Sequence, residues 1–255
     1  MNLDQRFWEI DTLRGVAIIL MVAYHFFFDL HYFGIFPVNL NSPLIWIFAR
    51  STAFIFILVV GISLSLSHSR TKIRNKGFSN TSMFKKYLKR GSKLFALGLL
   101  ITLVTWVFIP ADFIVFGVLH FIGLAIILEY PFLDKKYLNL SLGGVLLGLG
   151  IFTTQFYFSE PWFLWIGLKP SGFTTVDYFP LLPWLGVVSI GLFLGNTLYA
   201  NYERQFRWPE LSSHKIIKLS SFLGRHSLFI YLIHQPILIM ALYLAGVVDL
   251  SRLFC

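Results

Sequence analysis

The sequence predicts an all-α, polytopic membrane helix bundle of about seven transmembrane helices, and three observations carry that prediction. Of the 255 residues, 56% are hydrophobic and only 13% charged, with a mean hydropathy of +0.72. Soluble domains carry roughly 25% charged residues, so a chain of this length cannot be a soluble core. The apolar residues also fall in runs near the roughly 17–25 residues that cross a bilayer. Finally, the basic residues collect between alternate runs. The net charge of +9 therefore reflects topology and does not point to a nucleic-acid partner.

The runs are Thr12–Leu30, Leu44–Leu66, Lys93–Ile109, Phe113–Tyr130, Leu138–Phe156, Tyr178–Tyr199 and Phe222–Ala245. The first is followed by "HFFFDLHYF" with no small-residue cleavage site, so it reads as a retained helix and not a signal peptide. The third and fourth are joined by "PAD" at residues 110–112, which predicts a tight hairpin. In the fifth and sixth, "GVLLG" (Gly144 to Gly148) and "GLFLG" (Gly191 to Gly195) place small residues four apart, a spacing that admits close helix contact. All but three of the 21 lysines and arginines (Arg50, Lys169 and Arg252) fall on one side if the N-terminus is inside. The positive-inside rule then places the N-terminus in the cytoplasm and the C-terminus outside. Residues 1–255 read as a single integral-membrane domain of the cell membrane. The one cysteine, Cys255, allows neither an intrachain disulfide nor a paired-cysteine metal motif.

The polar residues within these runs are the candidates for function, because lipid penalises them. A central charge costs about 2.5–3.5 kcal/mol even on lenient insertion scales. In "RGVAIILMVAYHFFFDL", Arg14 and His25 are about 20° apart around a helix, and Asp29 follows His25 by four residues. The three form one stripe. His25 lies about 16 Å beyond Arg14, which is near the bilayer midplane if Arg14 sits at the inner interface. His120, His234 and Arg50 lie inside other runs, and His226 lies nearer the cytoplasmic end of the last run. Arg50 has no acid in its own run, which makes Asp29 its expected partner.

Histidine is the usual general acid or base, and a carboxylate one turn away can set its tautomer. An arginine at the foot of the same helix suits a phosphate-bearing ligand, with the basic segment 70–93, including Lys89 and Arg90, as a further attraction. That segment is equally explained as a topology determinant and anionic-lipid anchor. The individual histidines are equally explained as hydrogen-bonding groups between helices. No histidine pair has the short helical spacing of common zinc sites, and no metal is expected.

"DTLRGVAIILMVAYH" resembles the opening helix of membrane acyltransferases, in which an arginine is followed by ten residues and a histidine. "EIDTLRGVAIILMVAYHFFFDL", "FGVLHFIGLAIIL", "PLLPWLGV" and "GRHSLFIYLIHQP" together resemble the heparan-alpha-glucosaminide N-acetyltransferase catalytic-domain family. The resemblance implies acetyl-CoA as cytoplasmic co-substrate and an acceptor on the outer side, a sugar amine or hydroxyl. It implies His25 as the catalytic histidine, Asp29 as its orienting group and Arg14 as a donor-binding residue. The donor-binding set then comprises Arg14, Asp11, Arg50, His120, His226, His234, Lys89 and Arg90. Lysosomal members carry asparagine where His25 falls, with the active histidine further out, so His31 is the second catalytic candidate. The implied partners are a small-molecule acyl donor, a glycan or other amine or hydroxyl acceptor, and the bilayer; a homo-oligomer is compatible with the chain. An acetyl-histidine intermediate, a proton-coupled transporter and a non-catalytic lipid-binding protein stand as alternatives. The aromatic segment at residues 156–179 suits either sugar stacking or an interfacial belt.

Overall fold

The computed structural model describes residues 3–4, 6–40, 42–74, 80–156, 158 and 160–248, which are all helix, turn and loop apart from one isolated bridge. Among these residues eight α-helices follow one another: α1 (Trp8–Tyr32), α2 (Pro43–Arg74), α3 (Asn80–Phe108), α4 (Val118–Leu128), α5 (Lys136–Thr153), α6 (Leu181–Leu198), α7 (Lys215–Arg225) and α8 (Ser227–Leu244). Among the described residues, six of them (α1, α2, α3, α5, α6 and α8) are long and apolar enough to cross a bilayer. Such a chain is a multi-pass integral membrane protein. The fourth predicted span differs in form. Its helix has 11 residues, about 16 Å or half a hydrocarbon core, and the remainder of that run is irregular backbone.

Two compact units divide the chain: a central one, Val60–Arg207, and a terminal one formed by Asn2–Val59 and Trp208–Cys255. In the terminal unit α1 packs on α7 and α8. Both long helices end in the same way. After α1, Gly34 adopts φ +68°, its N–H bonds His31 O at 2.9 Å, and Ile35 N–H bonds Leu30 O at 2.9 Å. After α8, Gly246 adopts φ +71°, with Gly246 N–H to Tyr243 O at 2.9 Å and Val247 N–H to Leu242 O at 3.2 Å. Only glycine enters this left-handed conformation cheaply, and the reverse bonds satisfy carbonyls that a helix end leaves orphaned. Phe33, Leu242 and Val248 then bury together, with Leu30 and Ile35 packed against them.

The predicted last span is in fact two helices, α7 and α8, meeting at His226. α7 sits so close to α1 that a Cβ on Gly224 would lie 1.8 Å from Asp11 O, and one on Gly15 would lie 1.9 Å from Ser220 O. Backbone meets backbone, so neither position accepts a side chain.

In the central unit α3 packs on α4, and α5 on α6. The glycines that make the α5–α6 contact are Gly143 and Gly186, where an added Cβ would lie 3.0 Å from Gly186 O and 2.8 Å from Gly143 O respectively. Gly144 and Gly148, the spaced pair predicted to serve this purpose, have nothing within 4 Å. Gly191 and Gly195 do face a neighbour, at Gly61 and Ser65 of α2. The basic segment 70–93 is largely helix: α2 runs 32 residues to Arg74 and α3 starts at Asn80. At about 48 Å and 44 Å both exceed the roughly 30 Å hydrocarbon core, so their basic ends project beyond it. Lys76, Arg252 and Cys255 lie outside the described residues.

The irregular backbone before α4 is buried and hydrogen-bonded, which is the condition for non-helical chain at membrane depth. Thr102 Oγ1 donates to Ile114 O at 2.7 Å, and Ile114 N–H to Thr105 Oγ1 at 3.0 Å. Phe116 bridges in parallel to Tyr178. Asp177 Oδ2 accepts from Val118 N–H at 3.1 Å, capping α4 from a segment far along the chain.

Candidate functional site

The terminal unit gathers two histidines, an acid and an amide between α1 and α8. His25 Nδ1 lies 2.9 Å from Met21 O. A carbonyl oxygen can only accept, so Nδ1 carries the proton and Nε2 holds the lone pair. His234 repeats the arrangement, with Nδ1 2.6 Å from Tyr231 O. The two imidazole centroids are 4.8 Å apart, crossed at 76°. Each ring is thus pinned through Nδ1 to a carbonyl of its own helix, which leaves the lone pair of each on Nε2. That of His234 is buried without a hydrogen-bond partner.

One turn outward, Asp29 is 3% exposed. Its Oδ1 accepts from Gln235 Nε2 at 3.1 Å, while Asp29 Oδ2 and Gln235 Oε1 are buried without a partner. Unpartnered polar atoms at this depth cost about 1–3 kcal/mol each, and four neighbouring side chains holding three of them form the arrangement a polar ligand completes. Pro236 follows directly inside α8 and withholds an N–H from the helix ladder at the same level.

At the N-terminal foot of α1, Asp11 is buried between two arginines. Arg6 Nε lies 3.0 Å from Asp11 Oδ2 and Arg14 Nη1 3.0 Å from Asp11 Oδ1. Arg14 Nη1 also reaches Gly224 O at 3.5 Å, one of the orphan carbonyls closing α7, where a cation is favoured. Thr12 Oγ1 and Ser221 Oγ add a hydrogen bond at 2.9 Å. This cluster ties α1 to α7.

The predicted stripe Arg14–His25–Asp29 lies on one continuous helix, but its members have other partners than the spacing suggested. His25 is oriented by Met21 and not by Asp29. Asp29 pairs with Gln235 and not with Arg50, whose guanidinium stands 5.8 Å over the Trp46 ring. His31 is exposed in the last turn of α1. His226 is exposed at the α7–α8 junction, with Nδ1 2.9 Å from Phe222 O and its ring 4.3 Å from that of Phe222.

His120, Lys89 and Arg90 belong to the central unit. His120 accepts Gly117 N–H at Nδ1 (3.2 Å) and its Nε2 lies 3.4 Å from Thr102 Oγ1. Both nitrogens are therefore occupied, with Phe95 and Phe116 rings against it; this is a structural histidine holding the irregular turn to α3. Lys89 and Arg90 are exposed on the projecting part of α3.

Sequence reasoning missed two groups. Gln235 had only its place beside His234 and Pro236 as a signal. In the central unit, Asp134 Oδ2 takes both His68 Nε2 and Lys72 Nζ at 3.1 Å, and the Tyr87 hydroxyl lies 3.4 Å from His68 Nδ1. The His68 and Lys72 hydrogen bonds hold the Asp134 carboxyl well below the usual carboxylate range. A polar triplet split between a helix end and a turn 66 residues on leaves no spacing to read. No group of three or more His, Cys, Asp or Glu suited to a metal occurs among the described residues.

The family heparan-alpha-glucosaminide N-acetyltransferase, catalytic, matches residues 6–236, a range that includes every residue of the His25 cluster. Neither a curated protein nor a solved structure matches.

Proposed function

The chain belongs to the heparan-alpha-glucosaminide N-acetyltransferase catalytic family, and from that premise we propose that it moves an acetyl group from cytoplasmic acetyl-CoA to an amine or hydroxyl at the outer side. A sugar is the acceptor class we favour. The observation that supports the reading is the contact between two imidazoles, His25 on the stripe of α1 and His234 on α8, each held through Nδ1 by a carbonyl of its own helix.

His25 Nε2 takes the proton of the acceptor N–H or O–H as that atom attacks the thioester carbonyl. The C–S bond then breaks and CoA leaves as its thiolate. Once protonated, His25 carries its charge against the His234 ring, whose centroid is 4.8 Å away. Asp29, held by Gln235, adds a negative group one turn away that favours the charged imidazole. Arg14 holds the foot of α1 on α7 and faces the side from which the donor comes. The projecting basic ends of α2 and α3, Lys89 and Arg90 among them, raise the local concentration of a polyphosphate donor through their field. We read residues 1–255 as one acyltransferase domain, since the family match runs through both units.

The test uses the full chain in lipid nanodiscs with radiolabelled acetyl-CoA and glucosamine as the probe acceptor. Wild type is expected to be thermally stabilised by acetyl-CoA and to transfer or hydrolyse the acetyl group. His25→Ala should lose about 10²–10⁴-fold in turnover, the usual contribution of general base catalysis, while keeping the thermal shift. A wild type that is neither stabilised by acetyl-CoA nor turns it over refutes the enzyme reading. An active His25→Ala beside an inactive His31→Ala moves the catalytic base to His31.

A further inference from the structure

α7 divides its surface into three sectors. Placed at about 100° per residue, Ser220, Ser221 and Gly224 fill one arc and are buried; all three make the α1 contact, Ser220 at Gly15, Ser221 at Thr12 and Gly224 at Asp11. Ile216, Leu219 and Phe222 fill an opposite arc of about 120°, and they are 78%, 61% and 50% exposed. Lys218 and Arg225 lie between these arcs, and Lys215 falls within the apolar arc between Phe222 and Leu219; all three are exposed. Among the described residues of the terminal unit, none covers the apolar arc. Trp208, also exposed, precedes it. The only acid from Trp208 to Arg225 is Glu210.

A helix of 11 residues cannot cross a bilayer, and a wholly basic loop would not display three large apolar side chains on one arc. Apolar and basic arcs side by side are the signature of a helix lying in the membrane plane, with the apolar side chains among acyl chains and the cations at headgroup level. The basic arc also selects the lipid. Lysine and arginine side chains near an anionic leaflet are drawn to it, and α7 presents three with no acid of its own.

We propose that α7 is an interfacial helix that inserts its Ile216–Leu219–Phe222 arc into the cytoplasmic leaflet and holds anionic lipid headgroups on Lys215, Lys218 and Arg225. Because its third arc carries the Thr12–Ser221 and Arg14–Gly224 contacts, anionic lipid bound there also holds α1 in place.

The experiment replaces Cys255 by Ser, introduces Ile216→Cys in one variant and His214→Cys in another, and labels each with an environment-sensitive fluorophore. Both are reconstituted in phosphatidylcholine vesicles with and without about one-third phosphatidylglycerol. The Ile216 label is expected to be quenched by lipids brominated along the acyl chain and shielded from aqueous iodide, and the exposed His214 label to show the reverse. The apparent unfolding midpoint should rise with phosphatidylglycerol. That rise should vanish in the Lys215→Gln/Lys218→Gln/Arg225→Gln variant, none of whose positions belongs to the His25 site. Ready iodide quenching at Ile216 overturns the proposal. Shielding from iodide without bromine quenching also overturns it, since protein and not lipid then covers the arc. A midpoint indifferent to phosphatidylglycerol removes the anionic-lipid part. None of these readouts depends on acetyl transfer.

Discussion

Gly224→Ala is the sharpest structural test of the lock at the base of α1. The added Cβ would stand 1.8 Å from Asp11 O and ordinary contact begins at 3.4 Å, so α7 must withdraw by roughly 1.6 Å. Asp11 O is backbone within a helix and cannot rotate aside. Such a shift carries the Thr12–Ser221 pair from 2.9 Å beyond hydrogen-bonding range and removes the Arg14–Gly224 contact. Two lost hydrogen bonds cost about 2 kcal/mol, and residual overpacking brings the total to about 2–4 kcal/mol. At about 2–4 °C per kcal/mol for a chain of this size, the apparent midpoint falls by roughly 5–15 °C. The assay is tryptophan fluorescence on a temperature ramp, with Gly144→Ala as the matched control. Gly144 has nothing within 4 Å, and alanine is the better helix former by about 1 kcal/mol, so the control should hold its midpoint or rise. If Gly224→Ala and Gly144→Ala unfold together, the close α1–α7 approach is wrong.

Gln235→Leu strips Asp29 of its donor in a buried site. It should cost about 1–3 kcal/mol, with the Asp29→Leu/Gln235→Leu double variant less destabilised than the sum of its parts, as a double-mutant cycle of unfolding midpoints will read. His120→Asn should lower the midpoint yet keep acetyl turnover, since both ring nitrogens are engaged in holding Ile114–Gly117 against α3; loss of turnover in a folded variant would return His120 to the chemistry. Asp134 supplies a pH dependence. Its carboxyl is depressed by His68 and Lys72, so its contribution is present above the unfolded carboxylate value of about 3.9 and is lost as pH falls below it towards the folded value. With 56% of that side chain exposed, screening holds the effect to about 1 kcal/mol. Midpoints measured from pH 5 downward should therefore fall slightly faster for wild type than for Asp134→Asn, and parallel curves would refute the assignment.

Composition, run length and the distribution of basic residues determined the fold class, because a bilayer imposes length and apolarity on each crossing independently of its neighbours. The Arg14–His25–Asp29 stripe was legible for the same reason: it depends only on the helix repeat within one continuous segment. The fourth span was read as a full helix since hydropathy cannot tell a spanning helix from buried irregular chain, and it is hydrogen bonds to Thr102, Thr105, His120, Thr175 and Asp177 that make that backbone tolerable. Similarly, Gly144 and Gly148 have the right spacing on the wrong face, while Gly143 meets Gly186.

Partner identity was the part beyond reach. His25 meets His234 and Asp29 meets Gln235 from a helix more than 200 residues along, Arg14 turns to Asp11 and the end of α7, and His120 is satisfied within its own hairpin. Local sequence sets which residues share a face, through the helix repeat. Which of those faces meet is decided by tertiary packing, where backbone approaches such as Gly15–Ser220 and Gly224–Asp11 select one register of α7 and so carry α8, with His234, to the side of His25.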